Sequence, residues 1–450
     1  MSKESKSYKN LPITMKAFLQ TFGCPKNVVD SEKLAYVVET AGIGWEKDPA
    51  KADIIIVNTC GFIKPAVEES LTAVLEASLF KKHGRCRLLV VAGCLSKRYA
   101  GELFSKIKDV DCFIGPQSIG ELENIIKEFK RGLFKKRRLK LDVSPERLAR
   151  KLLTPFHYAY LKISDGCDNK CSYCTIPSIR GPLKSREQAD IIEEVRKLVS
   201  GGVKELIIVG QDIAAYGMDR GKQELSSLLS KIEQINAVKW IRLMYLHPLH
   251  VTDELIGLIA SSDKICKYVD MPIQHINSLI LKKMDRRVTT EKVRELLVKL
   301  RKIEGAKIRS TFIVGFPGES EKAFEELMDF VKEIRFDRLG FFIYSREEGT
   351  KAYSFDNVVS KEVAESRLMR LAELQKKISM EINKRLTGET IEVIIDRSAE
   401  GKNFFYGRSR WDAPEVDCSV KVSGKGLNPG DIVKVIVEKA FPYELEAKLM

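Results

Sequence analysis

Short apolar runs alternate with stretches of helical periodicity along most of the chain. In the first part, strands are expected at Met15–Thr21, Asp53–Asn58, Leu88–Ala92 and Cys112–Gly115, and helices at Val28–Thr40, Pro65–Leu79, Ser96–Ile107 and Glu121–Phe129. Strands alternating with helices predict an open parallel sheet covered on both faces. From residue 158 the alternation resumes. Strands are expected at Tyr160–Ser164, Glu205–Gly210, Trp240–Leu246, Tyr268–Pro272, Lys307–Val314 and Arg338–Tyr344, separated by helices such as Glu187–Val199, Leu225–Ile235 and Thr290–Ile303. Six strand–helix units are two short of a closed eight-stranded barrel. Val363–Leu386 is charged and helix-patterned. Beyond residue 388 the period changes to two, with short runs at Ile391–Ile395, Phe404–Arg408, Val416–Val422, Ile432–Val437 and Leu445–Leu449 between Gly, Pro and Asn turns. That pattern predicts a small antiparallel barrel.

A chain of 450 residues, 44% of them hydrophobic, is long enough for about two to four domains with sizeable cores. Met1–Asn10 is polar and lysine-rich, with no apolar stretch behind it of signal-peptide length. No apolar run reaches the roughly 18 residues of a membrane helix. The ten cysteines are unevenly spaced. Together these features lead us to expect a reducing, cytoplasmic protein that uses cysteine for metal rather than for disulfides. The net charge of +14 permits a nucleic-acid or ribosomal partner. Half of it lies in residues 127–140, where eight Lys/Arg face one Glu. This run reads either as a solvated linker or as an electrostatic contact with RNA.

The densest chemistry is Leu161-Lys-Ile-Ser-Asp-Gly-Cys167-Asp-Asn-Lys-Cys171-Ser-Tyr173-Cys174, running on to Arg180-Gly181. Three cysteines at C-x3-C-x2-C directly follow an apolar strand. Thiolates are soft ligands suited to iron–sulfur clusters and zinc. A structural zinc wants four ligands, and the next twenty residues supply no fourth Cys or His; a zinc knuckle would need a distant one. A cubane held by three cysteines keeps one iron open, which can bind S-adenosylmethionine (SAM). Three more cysteines occupy equivalent places in the first domain. Cys24, Cys60 and Cys94 each follow a predicted strand, in Gly23-Cys24, Cys60-Gly61 and Gly93-Cys94. Ligands of open parallel sheets bind at the carboxyl ends of strands, so these three can converge. Small buried hydrophobes are the plainer alternative. His247, His250 and His275 also lie near strand ends, where a structural role is the simpler reading.

The C-x3-C-x2-C stretch, with Tyr173 before its third cysteine, resembles the radical-SAM signature. Gly23-Cys24-Pro25-Lys26-Asn27, Asn58-Thr59-Cys60 and Ala92-Gly93-Cys94 resemble the N-terminal domain of the radical-SAM methylthiotransferases. Pro25-Lys26 and Ser409-Arg410-Trp411-Asp412-Ala413-Pro414-Glu415-Val416-Asp417 are similar to the branch acting on ribosomal small-subunit protein twelve; the tRNA-modifying branch carries Gln-Met in place of Pro-Lys. Cys418 stands where that branch has Gly.

The resemblance implies an α/β fold of four segments. These are an N-terminal cluster-binding domain (12–130), a basic linker (131–157), a radical-SAM partial (β/α)6 TIM-like barrel (158–386) and a C-terminal TRAM domain, an OB-like barrel (387–450). It implies two [4Fe-4S] clusters, on Cys167, Cys171 and Cys174 and on Cys24, Cys60 and Cys94, with SAM near Tyr173, Gly210, Gln211, Asp212 and Gly315. Cys86, Cys112, Cys266 and Cys418 match no ligand position. Arg186 resembles part of another family motif and is suited to a carboxylate. The implied reaction methylthiolates the β-carbon of an aspartate, one SAM giving the radical and another the methyl group. Implied partners are ribosomal small-subunit protein twelve, free or on the assembled subunit, and a flavodoxin- or ferredoxin-like reductant; the chain is expected to be a monomer. Residues 388–450 hold nine Lys/Arg against eleven Asp/Glu, a net charge of −2 that suits a basic protein better than RNA. The same chemistry on a tRNA adenosine, and a non-catalytic metal-cluster protein binding nucleic acid, remain as alternatives.

Overall fold

The computed structural model describes residues 15–134, 138–141, 149–399 and 403–450. The chain forms two compact units. The first runs to Leu153 and adds Thr175–Gly181; the second comprises Thr154–Cys174 and Pro182–Met450.

In the first unit β1 (Lys16–Thr21), α1 (Pro25–Thr40), β2 (Gly44–Trp45), β3 (Ile54–Thr59), α2 (Lys64–His83), β4 (Leu88–Gly93), α3 (Cys94–Lys106), β5 (Cys112–Ile114), α4 (Glu121–Lys130) and β6 (Arg138–Lys140) build a parallel sheet of order β2-β1-β3-β4-β5-β6. Every residue of β3 and β4 is buried, as expected for central strands with helices on both faces. One core packs Leu34, Val37 and Val38 of α1 and Ile125 and Ile126 of α4 on one face; the other packs Val74 and Ala77 of α2 and Leu95 of α3 on the opposite face. The unit is completed by α5 (Ile176–Arg180).

The basic run is only partly the expected linker. Arg138–Lys140 pairs with β5 as a sixth strand, Arg138 meets Glu128, and Lys140 Nζ lies 3.0 Å from Glu121. Edge strands are short and often charged, which hides such a strand in a charge run. Residues 135–137 and 142–148, and with them much of the 131–157 segment, lie outside the described residues.

The second unit opens with β7 (Tyr158–Lys162), then a small hairpin of β8 (Ser164–Asp165) and β9 (Lys184–Ser185). There follow α6 (Gln188–Ser200), β10 (Glu205–Val209), α7 (Leu225–Glu233), β11 (Trp240–Leu243), α8 (Asp253–Ser261), β12 (Ile265–Asp270), α9 (Ser278–Lys283), α10 (Thr290–Arg301), β13 (Lys307–Val314), α11 (Glu321–Ile334), β14 (Arg338–Ile343) and α12 (Lys361–Lys384). The six long strands are parallel in the order β14-β13-β12-β11-β10-β7, the predicted partial barrel. The last domain is a closed barrel, β15-β16-β17-β19-β18, of β15 (Thr390–Ser398), β16 (Phe404–Ser409), β17 (Ser419–Ser423), β18 (Ile432–Ala440) and β19 (Glu444–Leu449). All its ladders are antiparallel except β17 with β19, which is parallel.

Residues 409–417 join the small barrel to the large one. Asp412 accepts from Arg338, Asp417 from Arg309 and the Tyr268 hydroxyl (2.7 Å), and the Arg410 carbonyl from Arg242 (2.9 Å). Glu205 lies between Arg242 and Arg408, and Arg408 reaches on to Asp396, which meets His157 at 2.9 Å. Glu205 and Arg338 are the first residues of their strands. This junction therefore lies towards the amino ends, leaving the carboxyl-end loops to the site chemistry.

Candidate metal-cluster sites

In the first unit the sheet places three thiols at the carboxyl ends of adjacent strands. Cys24 caps α1 after β1, Cys60 follows β3 and Cys94 begins α3 after β4. The turns are held tightly. Gly23 has φ +93°, and a Cβ there would stand 2.9 Å from Cys60 Cβ. Asn27 donates to the carbonyls of Phe22 and Thr59, and Asn58 to Asn27 O and Ser31 Oγ. Ser70 Oγ bridges the backbone N–H and C=O of Cys60, each at 3.0 Å. Burial pushes the Cys60 thiol up to about 12 and raises Cys94 too. Burial also acts against ionising Cys24, but Lys26, Arg180 and the N–H groups of Asn27 and Lys26 outweigh it and hold that thiol below its ordinary value.

In the second unit Cys167, Cys171 and Cys174 lie in the loop between β8 and α5. Asp168 accepts from Leu183 N, Ser172 Oγ donates to Lys283 O, and Ala352 N donates to Ser172 O. Burial pushes the Cys167 thiol up to about 11. Asn169 donates to Asp212 Oδ2 at 2.9 Å, tying the loop to the end of β10. The same oxygen meets His250 Nδ1 at 2.6 Å, while Oδ1 accepts from Ala214 N and His247 N. Arg286 places Nη1 3.6 Å from Cys171 Sγ and 3.5 Å from the Tyr173 hydroxyl, and Nη2 2.5 Å from Pro272 O. It is flanked by two residues in the left-handed region, Asp285 (φ 52°) and Arg287 (φ 53°). Non-glycine residues there carry strain, and such strain concentrates at functional sites. Tyr245 (φ 68°) and Gln274 (φ 76°), just beyond β11 and β12, share that conformation.

Three thiols without a fourth Cys or His beside them among the described residues are too few for a four-ligand structural zinc and enough for a cubane with one open iron. Zinc with Zn–S bonds of about 2.3 Å draws its sulfurs to roughly 3.8 Å apart. Among the described residues, the group of three with ligand atoms all within 4.8 Å of one another is Asp212, His247 and His250, and neither cysteine triplet is so compact. That polar group is already knit together, with four donors on Asp212, so it reads as the anchor of the cysteine loop.

The other expected cofactor contacts fall around this loop. Gln211 donates to Asp165 at 2.9 Å, and its Oε1 is buried without a partner. A Cβ on Gly210 would stand 2.8 Å from Ser164 Oγ, so close packing demands glycine there. Gly315 has φ +75° and faces Ala364, and Glu319 accepts from the N–H groups of Gly315 and Phe316. Tyr173 packs edge-on against Phe316, with centroids 6.4 Å apart. Arg186 pairs with Glu194 at 2.6 Å, and His275 is buried with Nδ1 accepting from Asn277 N. Cys86, Cys112, Cys266 and Cys418 are all buried. Arg286 carried no sequence signal, whereas Asn169, Arg180 and Asp30 stood inside or beside the cysteine motifs with no role assigned to them.

The chain matches the Radical SAM superfamily over residues 161–331, the Uncharacterized protein family UPF0004 over 16–115 and the TRAM domain over 387–450. A solved structure with similar architecture is the radical SAM methyltransferase TsrM from Kitasatospora setae with cobalamin and a [4Fe-4S] cluster bound (TM-score 0.56, 15% identity, 87% of this chain and 81% of that one). At that identity the likeness speaks for the fold alone. Among curated relatives, the ribosomal protein uS12 methylthiotransferase RimO of Heliobacterium modesticaldum is 42% identical, covering 96% of this chain and 95% of its own. That of Caldanaerobacter subterraneus is 46% identical, covering 94% and 98%. With this identity sustained across three matched domains, the chain belongs to the family of radical-SAM ribosomal protein uS12 methylthiotransferases.

Proposed function

We propose that this protein attaches a methylthio group to the β-carbon of an aspartate of ribosomal protein uS12. The observation that carries the reading is the pair of cysteine triplets, one at the strand ends of each unit, in a chain so similar to uS12 methylthiotransferases.

Cys167, Cys171 and Cys174 are assigned to one [4Fe-4S] cluster, and Cys24, Cys60 and Cys94 to the other. When bound, the first supplies the electron that cleaves SAM and the second supplies sulfur, chemistry that belongs to the cofactors. The chain's own residues do the positioning. Asn169 and Asp212 hold the cysteine loop against β10, and Arg286 directs N–H groups at Cys171 and Tyr173. Hydrogen bonds to cluster sulfurs are among the levers that set reduction potential. Gln211 offers a buried acceptor for the SAM amine beside Asp212, whose two oxygens are already taken by Asn169, His250 and two backbone N–H groups. Tyr173 packs on Phe316, next to Gly315 at the end of β13. Burial raises the Cys60 and Cys167 thiols, which favours their protonated forms, so cluster binding there would release protons.

A division into 12–130, 131–157, 158–386 and 387–450 underlies this reading. So do a low-potential flavodoxin- or ferredoxin-like donor, a monomeric state and a cytoplasmic setting where uS12 or the small subunit is available. No helix among the described residues is long and apolar enough to cross a membrane. The test is anaerobic reconstitution with iron and sulfide, then incubation with uS12, SAM and a reductant. Peptide mass spectrometry should find a methylthio group on an aspartate; unmodified uS12 alongside active SAM cleavage would refute the proposal.

A further inference from the structure

The segment that follows the second cysteine triplet sends one side chain into the first unit's cysteine site. Arg180 ends α5 and is 2% exposed. Its Nη2 lies 2.6 Å from Asn27 Oδ1, 3.3 Å from Cys94 Sγ and 2.9 Å from Asp30 Oδ2. The backbone beneath it is fixed, with Gln117 donating to Arg180 O at 2.7 Å and Thr175 Oγ1 donating to Phe62 O at 3.1 Å. Asn27 in turn braces the turns that carry Cys24 and Cys60. A buried guanidinium is costly to desolvate and is retained where it is paired and hydrogen-bonded. Here one of its contacts is a thiol.

Resting on the assignment of Cys24, Cys60 and Cys94 as cluster ligands, we infer that Arg180 is a positioning residue for that cluster: it donates an N–H to the Cys94 thiolate and supplies the buried positive charge that makes this cluster easier to reduce. Three thiolates make the site anionic, and reduction adds a further negative charge. A fixed cation and an N–H···S bond stabilise the reduced form more, and such outer contacts tune a metal centre. The competing role is a mere staple, an Arg180–Asp30 pair pinning α5 to α1. A staple would affect stability and leave the potential alone.

The experiment uses the full chain carrying C167A, C171A and C174A, so that only the N-terminal cluster is observed. Into it are placed Arg180→Lys, Arg180→Gln, Asp30→Asn and the doubly neutral D30N/R180Q, which leaves no unpaired buried charge should R180Q alone fail to fold. Each is reconstituted, assayed for iron and titrated with dithionite under EPR. At fixed potential, D30N/R180Q is expected to show about a tenfold lower reduced-to-oxidised ratio than D30N, a 59 mV negative shift for a one-electron couple. Arg180→Lys should fall between Arg180→Gln and the parent. If D30N/R180Q holds full iron and titrates with D30N, Arg180 is only a staple and the inference is overturned. If the parent with Arg180 intact binds no cluster, the ligand assignment itself fails, and this inference with it.

Discussion

Arg338 meets one carboxylate oxygen of Asp412 twice, through Nε at 2.8 Å and Nη2 at 2.7 Å, and both side chains are buried. The pair shows what residues 409–417 do within the chain. They fasten the C-terminal barrel to β11–β14, with Asp417 on Arg309 and Tyr268 and the Arg410 carbonyl on Arg242. Removing one partner strands a buried charge, which typically costs about 3–5 kcal/mol. Asp412→Ala should therefore lower the unfolding free energy by about that amount in urea titration, and Arg338→Met with Asp412→Leu should recover most of the loss. An Asp412→Ala protein as stable as its parent would contradict the clamp.

Cutting away residues 387–450 would strip partners from Arg242, Arg309 and Arg338 at once, so lost uS12 binding after such a cut would say little about recognition. The net charge of −2 is better tested at exposed positions. Glu389→Lys with Glu438→Lys reverses two exposed charges and leaves the clamp intact. Association with basic uS12 should slow, most clearly at low salt, while affinity for tRNA should stay level or rise. Unchanged association with uS12 would show that this face does not read the substrate.

β3, β4 and their cysteines were legible because each is an apolar run, residues 54–57 or 88–92, followed within a few residues by a thiol beside a glycine. Other features escaped for definite reasons. β6 is Arg-Leu-Lys, a charge run by composition, and only its parallel pairing with β5 makes it the edge strand of the sheet. The 409–417 motif was visible as a family mark, but its partners stand 74, 108 and 168 residues away in sequence at Arg338, Arg309 and Arg242. Arg286 sits in a run of charged residues that reads as solvated surface, and only the fold turns it towards Cys171. A chain with 76 Lys/Arg offers no sign of which ones are buried.

The two cysteine sets should separate functionally. Cys167→Ala, Cys171→Ala or Cys174→Ala should remove about half of the iron and all 5′-deoxyadenosine formed under dithionite. Cys24→Ala, Cys60→Ala or Cys94→Ala should also remove about half, keep SAM cleavage and lose methylthio product. Cys60 near 12 and Cys167 near 11 bind their protons tightly in the metal-free chain, so uptake of iron should weaken as pH falls. Full product from Cys24→Ala, or 5′-deoxyadenosine from Cys171→Ala, would undo the assignment.

Asn169 and Asp212 hold the SAM-side loop without being ligands themselves. Asn169→Ala or Asp212→Asn should leave the fold intact and reduce 5′-deoxyadenosine formation by about 10- to 100-fold, the usual cost of losing a partner behind a metal ligand. The readout is product per iron at saturating SAM. Parent-like turnover per iron would mean that the loop keeps its shape without this tether.

The substrate is read out by mass spectrometry of uS12 and of total tRNA nucleosides from cells with and without this protein. A methylthio group on one aspartate of uS12 should vanish when the protein is absent, with tRNA nucleosides unchanged. A methylthiolated adenosine that depends on this protein, with uS12 unmodified in both cells, would contradict uS12 as the substrate.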